Sequence, residues 1–156
     1  MLDLQIVEAT AEHGALMAPN VRAADRLENE AASGRPLDRV LQASLDLSTH
    51  AWAALLDGKP AAIWGAGPLS LLNGKGSPWL IGTTAIEENP LVFLRLSRRY
   101  IVEIARVYQM LENHVDARNA KAIAWLAWLG FTIEGPSPYG VQQMPFHRFW
   151  MRSGHV

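Results

Sequence analysis

The sequence predicts an α/β domain built on a mixed, mostly antiparallel central sheet of about seven strands, flanked by helices on both faces. Three observations lead there. Asp57-Gly58 separates two apolar runs, residues 52–56 and 61–64, and an Asp-Gly pair in that position favours a two-residue hairpin turn between antiparallel strands. Two strand-then-helix units follow further on, and such crossovers bring in parallel pairing and cover a sheet with helices. Hydrophobic residues make up 49% of the 156 positions and charged residues 19%, which suits one core and one domain across residues 1–156.

Taken in order, residues 2–7 alternate, with Leu2, Leu4 and Ile6 on one face, and predict the first strand. Thr10 is a helix N-cap residue type, so a short helix is expected over 11–18, with Pro19 ending or kinking it. Residues 20–33 mix charges with helix formers. Pro36 suits a first helical turn, and Leu37, Val40, Leu41, Ser44 and Leu45 then recur at helical spacing. The hairpin strands come next, then a turn region at Asn73-Gly74-Lys75-Gly76. Residues 78–86, PWLIGTTAI, are apolar almost throughout and predict a fourth, central strand. Asn89-Pro90 pairs a good N-cap with a good first helical residue and opens a long helix, its buried stripe expected at Leu94, Ile101, Ile104, Ala105 and Tyr108. A fifth strand is expected over 109–115, a helix over 119–129, and last strands over 131–134 and 146–151, joined by the turn-rich GPSPYG. The expected order is β, α, α, β, β, β, α, β, α, β, β.

Composition excludes several classes of function. The net charge of −1 leaves no global basic field, so nucleic acid is not expected as a partner. There are no cysteines, which rules out a disulfide scaffold, a thiolate zinc site and a cysteine nucleophile. The first residues lack a basic segment followed by a long apolar one, so no signal peptide is expected, and no apolar run reaches the ~18 residues of a membrane span. The histidines at 13, 50, 114, 147 and 155 show no metal-ligand spacing, and no metal is expected. Neither a G-x-S-x-G elbow nor a phosphate-binding G-x-x-x-x-G-K loop occurs.

Residues 119–131 read NAKAIAWLAWLGF. Ala122, Trp125, Leu126 and Leu129 share one helical face, Asp116 or Asn119 can cap the start, and Gly130 stands where a left-handed residue ends a helix. Trp128 lies off that face. Packing alone accounts for every residue of the segment. The order Asn119, Ala122, Trp125, Leu129-Gly130-Phe131 also resembles the N-x-x-A-x-x-aromatic-x-x-x-L-G-F signature of the GNAT superfamily of N-acetyltransferases, and the order of elements around it is similar to that fold. The runs Arg22-Ala-Ala-Asp25-Arg-Leu-Glu28, Trp79-Leu-Ile-Gly82-Thr83, Asn113-His-Val-Asp116-Ala-Arg-Asn119 and Pro145-Phe146 further resemble small acetyltransferase-like proteins of T7-like and related tailed phages, some of them internal virion or capsid-associated proteins.

The resemblance implies acetyl-CoA as cofactor and acetyl transfer to the amine of a small molecule or protein. The alternative is a non-catalytic phage structural or host-interaction protein, partnered by a phage or host protein, in the host cytoplasm or with the virion. Ile81 and Thr83 of the fourth strand and Asn119 would contact acetyl-CoA, with Arg95, Arg98 and Arg99 supplying positive charge; these three also read as a solvated helix face. The pattern departs from the superfamily in two places. Its pyrophosphate loop carries glycines, whereas EENPLVFLRLSRR, residues 87–99, has none, sets Glu87 and Glu88 against phosphate and loses an N–H at Pro90. Its tyrosine four residues before the glycine is Leu126 here, which has no proton to give, leaving Tyr139 as a substitute or as a packing residue.

Deprotonating an amine calls for a base, and Glu112 and His114 are the candidates, two apart on a strand and so on one face. The plain alternative is two solvated polar residues. Arg22, Asp25 and Glu28 follow at i, i+3 and i+6 and would bind substrate beside the acceptor site, or else make an intrahelical Arg22–Asp25 pair. An open, apolar gap between the fourth and fifth strands would favour cofactor binding. A gap plugged by Phe93 or Trp125, or an exposed aromatic patch at Phe146 and Trp150, would favour the non-catalytic alternative.

Overall fold

Asp57 and Gly58 turn the chain with φ of 49° and 79°. Positive φ at both central residues matches the twist of the strands on either side, so the hairpin expected from Asp-Gly forms between β2 (His50–Leu56) and β3 (Lys59–Ser70). The computed structural model describes residues 2–70 and 72–155. Around that hairpin stand β1 (Leu4–Glu8), β4 (Lys75–Gly82), β5 (Met110–Asp116), β6 (Thr132–Tyr139) and β7 (Met144–Arg152). The helices are α1 (Ala11–Met17), α2 (Ala23–Ala32), α3 (Leu37–Leu47), α4 (Ala85–Glu88), α5 (Pro90–Ala105) and α6 (Ala120–Leu129). The seven strands form one sheet in the order β1-β2-β3-β4-β5-β7-β6, with β4 in the middle and β4–β5 the parallel pair. The mixed, mostly antiparallel α/β class expected from the sequence is the class observed.

Strand alternation sends neighbouring residues to opposite faces. Ala53 and Ile63 pack with Met17, Val21 and Leu41 under α1 and α3. Ala54, Ala62 and Trp64 pack with Phe93 of α5 on the other face. Leu111, Val115, Phe131 and Phe149 continue that second layer beneath α5 and α6. The sheet is therefore covered on both faces.

Several local expectations are corrected. Three α-helices, not two, separate β1 from β2. The fourth strand ends at Gly82 rather than at residue 86: Thr83 makes an isolated bridge to Val21, and Ala85–Glu88 coil into one turn whose Ile86 turns inward. A methyl group on Gly82 would sit 1.8 Å from Ile86 Cδ1, so a side chain there would displace the buried Ile86 side chain from its place against the strand. The buried stripe of α5 runs through Phe93 and Ile104 instead of starting at Leu94, and Asn89 does not cap the helix with its side chain, which donates to the Ala85 carbonyl. The GPSPYG segment is strand, not turn: β6 passes through a bulge between Ile133 and Pro136 and pairs with β7 as far as Tyr139. Because β6 is the edge strand, its prolines sit where a missing N–H need not break a ladder. Finally, Phe146 is 1% exposed, so it contributes to the core and not to a surface patch.

Candidate functional site

The β4–β5 pair is short. Its register pairs are Lys75 with Met110 and Gly76 with Leu111; beyond them the strands diverge. On β4 the peptide groups alternate in direction. Thr83 N–H donates to Ala61 O at 2.9 Å and Ile81 lies opposite Ile63, so the peptide groups of both are directed at β3. Those of Pro78, Leu80 and Gly82 face the gap. Pro78 O accepts Asn113 Nδ2 at 2.8 Å across the gap, Gly82 N–H donates to Asp25 Oδ2 at 2.9 Å, and Gly82 O accepts Arg22 N–H at 2.9 Å. Leu80 is left with its N–H and carbonyl directed at the opening. The backbone groups expected from Ile81 and Thr83 are thus presented by Leu80, one residue out of step.

The gap widens into a cavity of about 190 Å³. Phe93, Ser97 and Ile101 of α5 and Ala122, Trp125 and Leu126 of α6 line one end. Phe93 and Trp125 are therefore walls of an open space, not plugs. Trp64 and Trp125 belong to this lining, and the Nε1–H of each is buried with no hydrogen-bond partner among the described residues; Trp64 is only 8% exposed. By contrast Trp79 donates Nε1 to Ser48 Oγ at 2.7 Å. A buried unpaired donor costs about 1–3 kcal/mol, so an acceptor that reached either indole would be stabilised.

The cavity passes through the splay to the α2 face, where Arg22, Asp25 and Glu28 line it. The helical spacing expected of these three is observed, and packing buries them. Arg22 Nη2 and Nε donate to the two oxygens of Asp25 at 2.7 and 3.3 Å, and both residues are 6% exposed. Glu28 reaches across to β5, where its Oε1 accepts Asp116 N–H at 2.7 Å. Burial pushes the Glu28 carboxyl up to about 7; the Asp116 N–H and the Arg22 charge oppose the shift, and the charges of Asp25 and Asp116 reinforce it. A carboxylate that titrates near neutrality inside a cavity is suited to take and give protons.

Glu112 and His114 do share the α2 face of β5, but they sit in different surroundings. Glu112 is bound by Arg148 Nε at 2.6 Å and by Lys75 Nζ at 3.4 Å. Burial raises its carboxyl, but the hydrogen bond and charge of Arg148, and then Lys75, outweigh that and hold it below the usual carboxylate range. It does not line the cavity. His114 does, with its ring stacked on Tyr139 at 3.9 Å, and burial followed by the Arg148 charge pushes its pKa down. Tyr139 is occupied by that stack and by Phe146, away from the cavity lining. Asn119 is buried at the cavity, and its Oδ1 caps α6 by accepting Ala122 N–H at 3.4 Å.

The end where a diphosphate would be held is built differently. The α4 turn carries Glu87, which lies 3.6 Å from Arg22 and 3.8 Å from Lys121, and the first turn of α5 exposes Leu91 and Val92. Arg95, Arg98 and Arg99 are exposed on the outer face of α5; Arg98 lies over the Trp128 ring at 4.6 Å and Arg99 over Tyr100 at 5.8 Å. The cavity is walled largely by apolar side chains of α5 and α6, and the α4–α5 turn carries two carboxylates, Glu87 and Glu88, and then Pro90. Among the described residues no group of three or more His, Asp or Glu could hold a metal ion, and no helix is long and apolar enough to cross a membrane.

No family model matches the sequence, and no curated protein does. Solved structures match in fold. YncA of Salmonella typhimurium, solved with its cofactor acetyl-CoA, superposes with a TM-score of 0.73 at 16% identity over 96% of this chain and 94% of its own. A ribosomal-protein-alanine N-acetyltransferase from Brucella melitensis gives 0.72 at 16% identity, over 95% of this chain and 99% of its own. A GNAT-family acetyltransferase from Streptococcus pneumoniae gives 0.64 at 21%, over 96% and 99%. The chain has the GNAT fold.

Proposed function

We propose that this protein is an N-acyltransferase that draws an acyl thioester, acetyl in the simplest case, into the β4–β5 splay and passes the acyl group to an amine on the α2 face. The observation that carries this reading is the open splay ending at Glu28. Glu28 is the base: half ionised near neutral pH, it takes a proton from the amine while the Asp116 N–H fixes its orientation. Leu80 N–H faces the gap and polarises the acyl carbonyl, as a backbone donor does at a site of developing negative charge. When bound, the thioester supplies the acyl carbon: the amine nitrogen bonds to it, its C–S bond breaks with the electron pair going to sulfur, and the amine proton goes to Glu28. The buried Arg22–Asp25 pair ties α2 to the end of β4, so that Glu28 and Leu80 address one space.

The test is acyl transfer from S-acetylpantetheine or acetyl-CoA to a panel of amines, read by mass spectrometry. Product from the wild-type protein, lost on Glu28→Gln, supports the reading; no product with any amine, and no binding of either donor, sinks it.

A second reading is favoured by the diphosphate end. Glu87, Glu88 and Pro90 stand where phosphate-binding amides are wanted, as in a GNAT-fold protein of a tailed phage that serves the virion or binds a host protein instead of acylating. That reading does without a base, and stoichiometric donor-dependent acylation would overturn it.

A further inference from the structure

The thioester arm has a place here and the nucleotide does not, and the surface beside the mouth has a charge of its own. Along the outer face of α5, Leu91, Arg95 and Arg98 follow at i, i+4 and i+7, with Arg99 beside them, all exposed. Lys121, its side chain 75% exposed, and Trp128 of α6 border the same seam, closed by Arg98 lying over Trp128. Among the described residues no carboxylate forms an ion pair with Arg95, Arg98 or Arg99, in a chain whose net charge is −1. The cationic stripe is therefore local and unneutralised. It sits on the outer face of α5 rather than at that helix's N-terminus, where amides and dipole would hold a diphosphate.

We infer that the acyl donor is a pantetheine thioester delivered on an acidic carrier protein, which docks on the Arg95–Arg98–Arg99 stripe and the exposed Leu91 while its arm enters the β4–β5 splay. The inference rests on the acyltransferase reading. Charge complementarity selects the partner: an acidic helix matches the arginines, an apolar contact meets Leu91, and the arm's acceptor oxygens meet the Trp64 and Trp125 indoles. The carrier brings one phosphodiester to the mouth where CoA would bring a diphosphate and a further phosphate, and Glu87 there is already paired with Arg22 and Lys121, so the acidic turn opposes the carrier's arm less than it opposes CoA.

The experiment is titration calorimetry of the full chain with three donors: S-acetylpantetheine, acetyl-CoA, and a bacterial acyl carrier protein bearing an acetylated phosphopantetheine. The expected result is acetyl-CoA within about threefold of S-acetylpantetheine, and the carrier at least about tenfold tighter, weakening as salt rises. The triple charge reversal Arg95→Glu, Arg98→Glu, Arg99→Glu, on an exposed face, removes the carrier's advantage and leaves S-acetylpantetheine binding unchanged. Acetyl-CoA binding about tenfold or more tighter than S-acetylpantetheine would overturn the inference, because the nucleotide would then be recognised, while the acyltransferase reading stands. A carrier no tighter than S-acetylpantetheine also overturns it. If none of the three binds, both readings fall.

Discussion

Glu28 and Asp116 lie 88 residues apart in sequence and 2.7 Å apart in space, the carboxylate of one accepting the backbone N–H of the other. The contact joins α2 to the free edge of β5, where the β4–β5 ladder has already opened. It holds the Glu28 carboxyl, which burial in the cavity pushes up to about 7.

Acyl transfer should therefore rise with pH as a single ionisation centred at about 7, because the base acts in its charged form. Glu28→Gln keeps an acceptor for Asp116 N–H and loses the base, and the rate should fall by about 10²-fold or more with the pH dependence flattened. A pH–rate profile of both proteins checks it; an unchanged rate in the variant places the base elsewhere.

The same group sets a stability cost with a defined sign. Its folded pKa lies above the unfolded value of 4.5, so the unfolded chain loses the proton first and stability declines as pH rises from 4.5 through about 7. The full term is on the order of 3 kcal/mol. Glu28→Gln should be more stable than wild type at about pH 8 and nearly equal to it at about pH 4, measured by urea unfolding. A variant less stable at both would mean that ionised Glu28 is held by contacts the geometry does not contain.

Removing the Asp25 carboxylate strands the buried Arg22 guanidinium and frees Gly82 N–H at once. Asp25→Ala should cost about 3–5 kcal/mol, the range for breaking one side of a buried pair. Chemical denaturation measures it, and a loss below 1 kcal/mol would show that water or Glu87 compensates.

Gly82→Ala drives a methyl into Ile86 Cδ1. A cost of about 1–3 kcal/mol is expected from overpacking. Pairing it with Ile86→Ala should recover part of that loss, since contacting sites are non-additive. Purely additive melting shifts would refute the contact.

Much of this was legible in the sequence. Asp57-Gly58 gave away the hairpin because its turn has few alternatives, and Asn119 to Gly130 marked a helix by caps at both ends. The α5 boundary followed from Asn89-Pro90. What stayed hidden was set by long-range geometry. Ile81 lies on β4 and Thr83 just beyond its end, yet peptide direction depends on the register with β3, which turns Leu80 toward the gap. Residues 83–86 continue the run that starts at Pro78, and nothing local says that Ile86 folds back over Gly82. Glu28 stood out only as the third member of a helical triplet with Arg22 and Asp25. The role of base proposed for it rests on burial and on Asp116, a partner contributed by β5. The two unpaired indoles carry no sequence signal at all, since any of the six tryptophans could have found an acceptor.

A thioester arm in the splay would be read from the indole protons of Trp64 and Trp125, which belong to its lining. In a ¹H–¹⁵N spectrum with tryptophan assigned by substitution, saturating S-acetylpantetheine should shift the Trp64 and Trp125 Nε1–H resonances downfield, because unpaired donors acquire acceptors. The Trp79 resonance, already bonded to Ser48, should stay in place. Movement of neither Trp64 nor Trp125 at about ten millimolar ligand, which would place any affinity weaker than about −3 kcal/mol, would contradict it.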